Sequence, residues 1–235
     1  MKKYITLLSI PFIFASCSSG IEGEGTANQE KEFAVDLFTT IDAKCNCDIT
    51  LIPSEENKVI VESHQNLIDN LEIKSSGSDL VIKEKENVVK YSLYNVNIYI
   101  NPNLEEIELY NQSKLKISGT LKSDKIKIEA NDQSKIEQSF LEIKDLKLNL
   151  SDQTFTDLSG TVINLDLKAT DQSKAELQNL QTVEIDFNAQ DNTTLTLYAM
   201  KDLSGTASDN AQISYKGDPN KDTTEKDRAL INQIQ

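Results

Sequence analysis

Six short motifs hold most of the side chains whose spacing suggests chemistry. They are Asn111-Gln112-Ser113, Asp132-Gln133-Ser134, Asp152-Gln153-Thr154, Asp171-Gln172-Ser173, Asp191-Asn192-Thr193 and Asp209-Asn210-Ala211. Their central amides lie 21, 20, 19, 20 and 18 residues apart. If the units stack as strands do, the acids line up about 4.8 Å apart. That is close to the roughly 5 Å between the two carboxyls of a retaining glycosidase. An active site is one exceptional place, however, and here the acid recurs in five of the six units. Corner architecture is therefore the leading reading: Asp side chains bond the backbone at a turn, and stacked amides bond one another. A Ca²⁺ column and a catalytic pair are the alternatives. Unit charges about 5 Å apart in water repel by about 0.8 kcal/mol. Lys114, Lys135 and Lys174, each three residues beyond the start of its motif, are placed to offset that repulsion.

Outside the motifs the reactive inventory is small. His64 is the only histidine among 235 residues, which removes most Ser-His-Asp, Cys-His and multi-histidine metal sites. Cys45 and Cys47 share one face of a strand if that segment is extended. Free buried thiols, a local disulfide and a metal pair assisted by His64 or Asp48 all remain open. Tyr91, Tyr94 and Tyr99 read either as half-buried strand residues or as an exposed aromatic strip for glycan or protein contact. With 24 basic against 38 acidic residues, a net charge of −14 and a single arginine, Arg228, no basic face exists to neutralise phosphates. A nucleic-acid partner is excluded on that ground. No catalytic, cofactor-binding or metal-ligating residue is assigned, and no cofactor is implied.

The amino terminus reads as an address. Lys2 and Lys3 precede an apolar run from Tyr4 to Ala15, which ends in Ala15-Ser16-Cys17. That is the charged, apolar and small-residue order of a secretory signal, too short for a span of about 20 apolar residues. A cysteine after small residues, followed by Ser18-Ser19-Gly20, resembles the bacterial lipoprotein signal, with Phe14 where leucine is usual. Cys17 is therefore the expected lipidation site and the one site residue assigned. Ser18 resembles the pattern sent onward to the outer membrane. Loss of Lys2 and Lys3 leaves 22 basic against 38 acidic residues, a net charge of −16.

The elements that position these groups follow from periodicity. Three residues before each central amide lie Leu109, Ala130, Leu150, Ala169, Ala189 and Ala207, and five before lie Ile107, Ile128, Leu148, Leu167 and Phe187. On the far side stand Leu115, Ile136, Ala175, Leu195 and Ile213 at three, with Ile117, Leu158, Leu177, Leu197 and Tyr215 at five. Period-two alternation on both sides of a polar corner gives two short strands and two turns per repeat. A unit of about twenty residues cannot bury its stripe alone, so the units must stack. The expected fold is all-β: a right-handed parallel β-helix, or β-solenoid, with a strand-rich N-terminal portion. A sandwich of hairpins is the alternative.

The chain divides into a lipoprotein signal peptide (1–16), a flexible tether (17–32), a strand-rich part (33–104), the solenoid repeats (105–219) and a tail (220–235). Alternating runs in the strand-rich part fall at 33–38, 48–52, 58–62, 71–74, 80–83 and 96–100, and Ser63 is placed to cap a helix over 64–70. That part is expected to cover the first coil and block its edge. Tyr215-Lys216-Gly217-Asp218-Pro219 reads as the turn that stops the solenoid, with a short amphipathic cap or loose tail beyond.

Lipoprotein signal, N-terminal strands, twenty-residue β repeats with a small polar corner and the terminator Tyr215-x-Gly217-x-Pro219 together resemble the GIN domain. This is the head domain of an auto-transporter adhesin family common in Bacteroidetes lipoproteins. The resemblance covers about 33–219. Family corners usually read Ser-Gly-(Ala/Gly)-Ser; here they read Asp-Gln-Ser, and glycine remains only at Gly119, Gly160 and Gly205 among the repeats. The resemblance implies a β-helical fold and an adhesive role, with no catalytic residue to carry over. The leading function is a non-enzymatic cell-envelope lipoprotein of the outer membrane, on its periplasmic face or at the cell surface. It would present a rigid acidic β-solenoid to a protein or glycan ligand, with the membrane reached through the lipid anchor. Alternatives are a polysaccharide-active β-helix enzyme and a structural envelope protein without a specific ligand. A uronate lyase would want Arg or Lys near Ca²⁺, and the repeats hold no Arg.

Overall fold

The computed structural model describes residues 20–235, so the signal segment and Cys17 lie outside the described residues. From the N-terminus come β1 (Ile21–Glu22), β2 (Gln29–Ala34), β3 (Thr40–Lys44), β4 (Asp48–Pro53), β5 (Lys58–Ser63), the helix α1 (Gln65–Asn70), β6 (Leu71–Ser76), β7 (Asp79–Glu84), β8 (Val88–Lys90) and β9 (Tyr94–Ile100). Then follow β10 (Glu106–Tyr110), β11 (Lys114–Ile117), β12 (Thr120–Ala130), β13 (Lys135–Leu150), β14 (Phe155–Ala169), β15 (Lys174–Ala189), β16 (Thr194–Ala207), β17 (Gln212–Lys216), β18 (Asn220–Glu225) and β19 (Leu230–Gln233).

The repeats form the expected β-solenoid. Successive coils pair in parallel, β12 with β13, β13 with β14, β14 with β15 and β15 with β16. Ile128, Leu148, Leu167 and Phe187 stack in register as one buried column. Parallel coils bury each stripe between neighbours, so every aliphatic side chain serves two interfaces. The coil differs from expectation at its second corner. Instead of two short strands and two turns, β13 to β16 run 14 to 16 residues and bend without leaving the ladder. Only the polar corner is a turn. The wall that precedes it (125–130 in β12, 145–150 in β13) holds strict register. Irregularities fall after it, between Ile136 and Ser139, Asp157 and Ser159, and Glu176 and Glu184.

The N-terminal strands do more than cover the first coil. β3 and β4 pair in parallel with β10 and β11 and so form a coil themselves. β7 and β9 stack beyond them, so the spatial order departs from the chain order. Antiparallel strands close that end: β6 on β7, and β5 on β9 with β2 outside it. Ser63 does not cap the helix. Its hydroxyl donates to the Leu93 carbonyl (2.7 Å), and His64 takes the cap position.

Two expected boundaries also move. The stretch read as a tether is docked from residue 20 onward. β1 pairs with β8, Asn66 Nδ2 donates to the Glu22 carbonyl (2.7 Å), and the Glu24 N–H donates to Asn66 Oδ1 (3.0 Å). At the other end, β18 pairs with β16 and β19 with β17, so the coil continues through residues read as a tail. The turn at Gly217 is a bend within the array.

Candidate functional site: the polar corner ridge

The corners are four-residue turns, several of them closed by a backbone bond, as from the Ser134 N–H to the Asn131 carbonyl (3.1 Å) and from the Ala211 N–H to the Ser208 carbonyl (3.1 Å). The second residue is left-handed in every repeat: φ is 60° at Asn111 and Asp132, 62° at Asp152, 64° at Asp171, 62° at Asp191 and 60° at Asp209. Most L-residues resist that region, but Asn and Asp tolerate it because the short polar side chain can bond locally. Asn111 and the five Asp residues thus take on conformational work for which glycine is the default residue. Asp227, with φ 58°, adds a further member in Lys226-Asp227-Arg228-Ala229, whose Arg228 stands where the amide should be.

The ladder continues around the corner. The amide-position N–H donates to the left-handed residue's carbonyl one coil back: Gln133 to Asn111 (2.8 Å), Gln153 to Asp132 (2.7 Å), Gln172 to Asp152 (2.9 Å), Asn192 to Asp171 (2.8 Å) and Asn210 to Asp191 (2.9 Å). The carboxylates bond between coils, and two of them also accept from the serine that opens their own turn, Asp152 from Ser151 Oγ (3.0 Å) and Asp209 from Ser208 Oγ (3.1 Å). Asp132 Oδ2 accepts from the Asn111 N–H (2.9 Å), and Asp152 and Asp191 repeat the contact at 3.4 Å. Stacked amides bond one another at one step, from Asn210 Nδ2 to Asn192 Oδ1 (2.9 Å). Ser113, Ser134, Thr154, Ser173 and Thr193 turn inward and are buried. The expected lysine partners go elsewhere. Lys114 pairs with Asp48 (3.0 Å) and Lys174 with Glu176 (2.6 Å).

The N-terminal coil supplies a further corner that lacks the Asp-Gln-Ser signature. Lys44 lies beside Tyr110 and Asp48 beside Lys114, so Cys45-Asn46-Cys47 occupies the place of Asn111-Gln112-Ser113. The two cysteines form a disulfide with Cα atoms 5.3 Å apart. Ser113 Oγ donates to the Cys45 carbonyl (2.9 Å), which joins the two corners. Asn46 Nδ2 donates to the Val88 carbonyl (2.8 Å), and its N–H donates to Glu84 (3.0 Å). Burial raises the Glu84 carboxyl above its ordinary range, against the bonds it accepts from Asn46 and Val88. His64 stands away from the cysteines, its ring between the Glu24 carbonyl (3.2 Å) and Ser92 Oγ (3.0 Å).

Of the tyrosines, Tyr94 is fully buried, while Tyr91 and Tyr99 are half-buried, so no exposed aromatic strip forms. Tyr110 donates to Glu108 (3.0 Å), and burial together with that carboxylate pushes its phenol up to about 12. Among the described residues no three His, Cys, Asp or Glu side chains converge as metal ligands do. The arrangement therefore offers a straight ridge of exposed amide and carboxylate groups one strand spacing apart, on a rigid backbone.

The comparisons fit this architecture. A crystal structure of a putative adhesin from Bacteroides fragilis superposes with a TM-score of 0.84 at 20% identity, covering 92% of this chain and all of that one. A putative lipid binding protein from Parabacteroides distasonis gives 0.70 at 18% identity (92% and 99% covered). A putative adhesin from Parabacteroides merdae gives 0.66 at 17% identity (92% and 99% covered). At these identities the likeness is one of fold. No curated protein matches. The model of one family, described as putative auto-transporter adhesin, head GIN domain, matches residues 37–219, and the chain belongs to that family.

Proposed function

We propose that this chain is a non-enzymatic lipoprotein of the cell envelope, anchored through Cys17, whose corner ridge binds a protein or glycan during adhesion. The observation that carries the reading is the state of the ridge side chains. Gln112, Gln133, Gln153 and Gln172 are exposed, and among the described residues their amides make no bond to the rest of the chain. Their backbone, by contrast, is fixed in the ladder. A ligand then meets free donors and acceptors on a backbone that needs no ordering, at a cost of about 0.5–1.5 kcal/mol for each glutamine side chain it immobilises.

Membership in an adhesin family and the repeated architecture support a binding role, since a reaction needs one distinctive site and these corners are equivalent. Two experiments test it. Cells fed a fatty-acid analogue should label the wild type and not Cys17→Ser; equal labelling of both would remove the anchor. Cells displaying the full chain should adhere to a panel of glycan-coated and protein-coated surfaces. Gln133→Ala, Gln153→Ala and Gln172→Ala combined should abolish that adhesion, and undiminished adhesion would remove the ridge from the proposal.

A further inference from the structure

The wall that precedes the corner carries an ordered pattern of charge. Its central outward column reads Lys127, Lys147, Asp166, Asp186 on successive coils, with strict register between neighbours. Like charges directly opposite on adjacent strands destabilise a sheet, and alternation of sign would have avoided the cost. In this column the chain instead groups its cations on two coils and its anions on the next two, while the flanking columns carry Glu129, Asp145, Lys168 and Glu184, the last paired with Lys201 (2.7 Å). Lys125 makes no ion pair among the described residues, and neither does Asp186. Lys127 lies between Glu106 and Glu129 (2.6 and 2.8 Å), and Lys147 reaches Asp166 only at 3.7 Å.

We infer that this wall is a self-complementary surface that pairs with a second copy of the chain, the two solenoids running antiparallel. A two-fold axis lying along the strands, between the coils of Lys147 and Asp166, sets each column against itself in reverse order. Lys147 then faces Asp166, Lys127 faces Asp186, and in the flanking column Lys125 faces Glu184. The remaining pairs match as well: Asp145 faces Asn164, and in the third column Glu129 faces Asn188 and Asn149 faces Lys168. No like charges meet on these four coils, and symmetry makes each contact twice. The parallel arrangement, with the axis along the solenoid, would set Lys127 against Lys127 and Asp186 against Asp186. Charge therefore selects the antiparallel pair and rejects the parallel one.

The geometry has a functional sense that rests on the anchored, adhesive reading above. Residues 20–24 are docked beside β8, at the end of the solenoid where β7 and β9 lie. Antiparallel copies carry those ends on opposite sides, as two molecules rooted in facing membranes would. The same chain on a neighbouring cell is then a second adhesive partner, reached through the wall and not through the corner ridge. A contact of this size and polarity is weak singly and sensitive to salt, and many copies on two facing surfaces compensate.

The test is a charge swap. The full chain carrying Cys17→Ser, which removes the acylated thiol, is studied by sedimentation in about 20 mM and about 500 mM salt. It should self-associate in the first and be monomeric in the second. Lys125→Glu/Lys147→Glu should weaken self-association at least about tenfold, and so should Asp166→Lys/Glu184→Lys. An equimolar mixture of the two variants should pair as well as the parent, because every facing pair is again opposite in sign. A parent that stays monomeric at low salt, variants that associate like the parent, or a mixture without rescue would each overturn the pairing. With Cys17 restored, cells bearing one variant should clump with cells bearing the other and not among themselves. If the variants pair in solution while the mixed cells stay apart, the pairing stands and the anchored adhesive reading fails.

Discussion

Gly205 lies one coil beyond Phe187, in register with it, and a Cβ there would fall 2.1 Å from the Phe187 carbonyl oxygen and 2.8 Å from its ring. The buried column is aliphatic up to Phe187, whose larger ring is accommodated because the next position has no side chain. With φ +144°, Gly205 also sits where L side chains rarely go. Gly205→Ala should therefore destabilise the protein by at least about 1–3 kcal/mol from backbone strain alone. Urea unfolding measures it, and an unchanged midpoint would show that the neighbouring coil gives way freely.

Leu148 touches Ile128 on one side and Leu167 on the other. Truncation to Ala opens a cavity shared by two interfaces, and Leu148→Ala should cost roughly 2–5 kcal/mol. The Leu167→Ala change should cost as much. Denaturant melts of both variants decide it; a loss under 1 kcal/mol would place the column outside the core.

At the corners, the left-handed φ and the carboxylate can be separated by substitution. Asp152→Asn keeps the tolerance for φ 62° and should change stability by less than about 1 kcal/mol. Asp152→Val, β-branched, should lose about 1–2 kcal/mol or more. Ca²⁺ should leave the melting temperature of the wild type unchanged. A calcium-dependent rise that Asp152→Asn abolishes would make the ridge a metal site.

Glu84 gives a dependence on pH. Burial raises its pKa, so the folded state favours the protonated form. Its contribution is complete below the ordinary value of 4.5 and is lost as pH rises through the raised value. Glu84→Gln should melt at or above the wild-type temperature near pH 7, with the difference shrinking toward about pH 5. Parallel melting curves of the two proteins across that range would contradict this.

The inward stripe and six of the corners could be read from the sequence because both repeat with a period that only stacking explains. Elsewhere the cue was chemical identity, and identity changed. Cys45-Asn46-Cys47 forms a corner through a disulfide and so lacks the Asp-Gln-Ser signature. Asp227 keeps the left-handed φ, but Arg228 in the amide place hid the repeat. The order of β7 and β9 beyond β3 and β4 leaves no trace in local alternation, since period two fixes which face a residue takes and not which strand lies beside it. Residues 20–24 are held by backbone pairing and by Asn66, which requires no apolar pattern.

The register breaks of the long coils fall between one polar corner and the next wall, which divides the coil into a ruler and a joint. Coil length varies from 18 to 21 residues, yet the wall before the corner never slips. Insertions and deletions can therefore accumulate at the joint while every ridge residue and every charged column keeps its address. Duplicating one coil would lengthen the rod by about 4.8 Å without disturbing its neighbours. The reach of such a molecule can thus be altered by whole steps, with its surface pattern carried along intact.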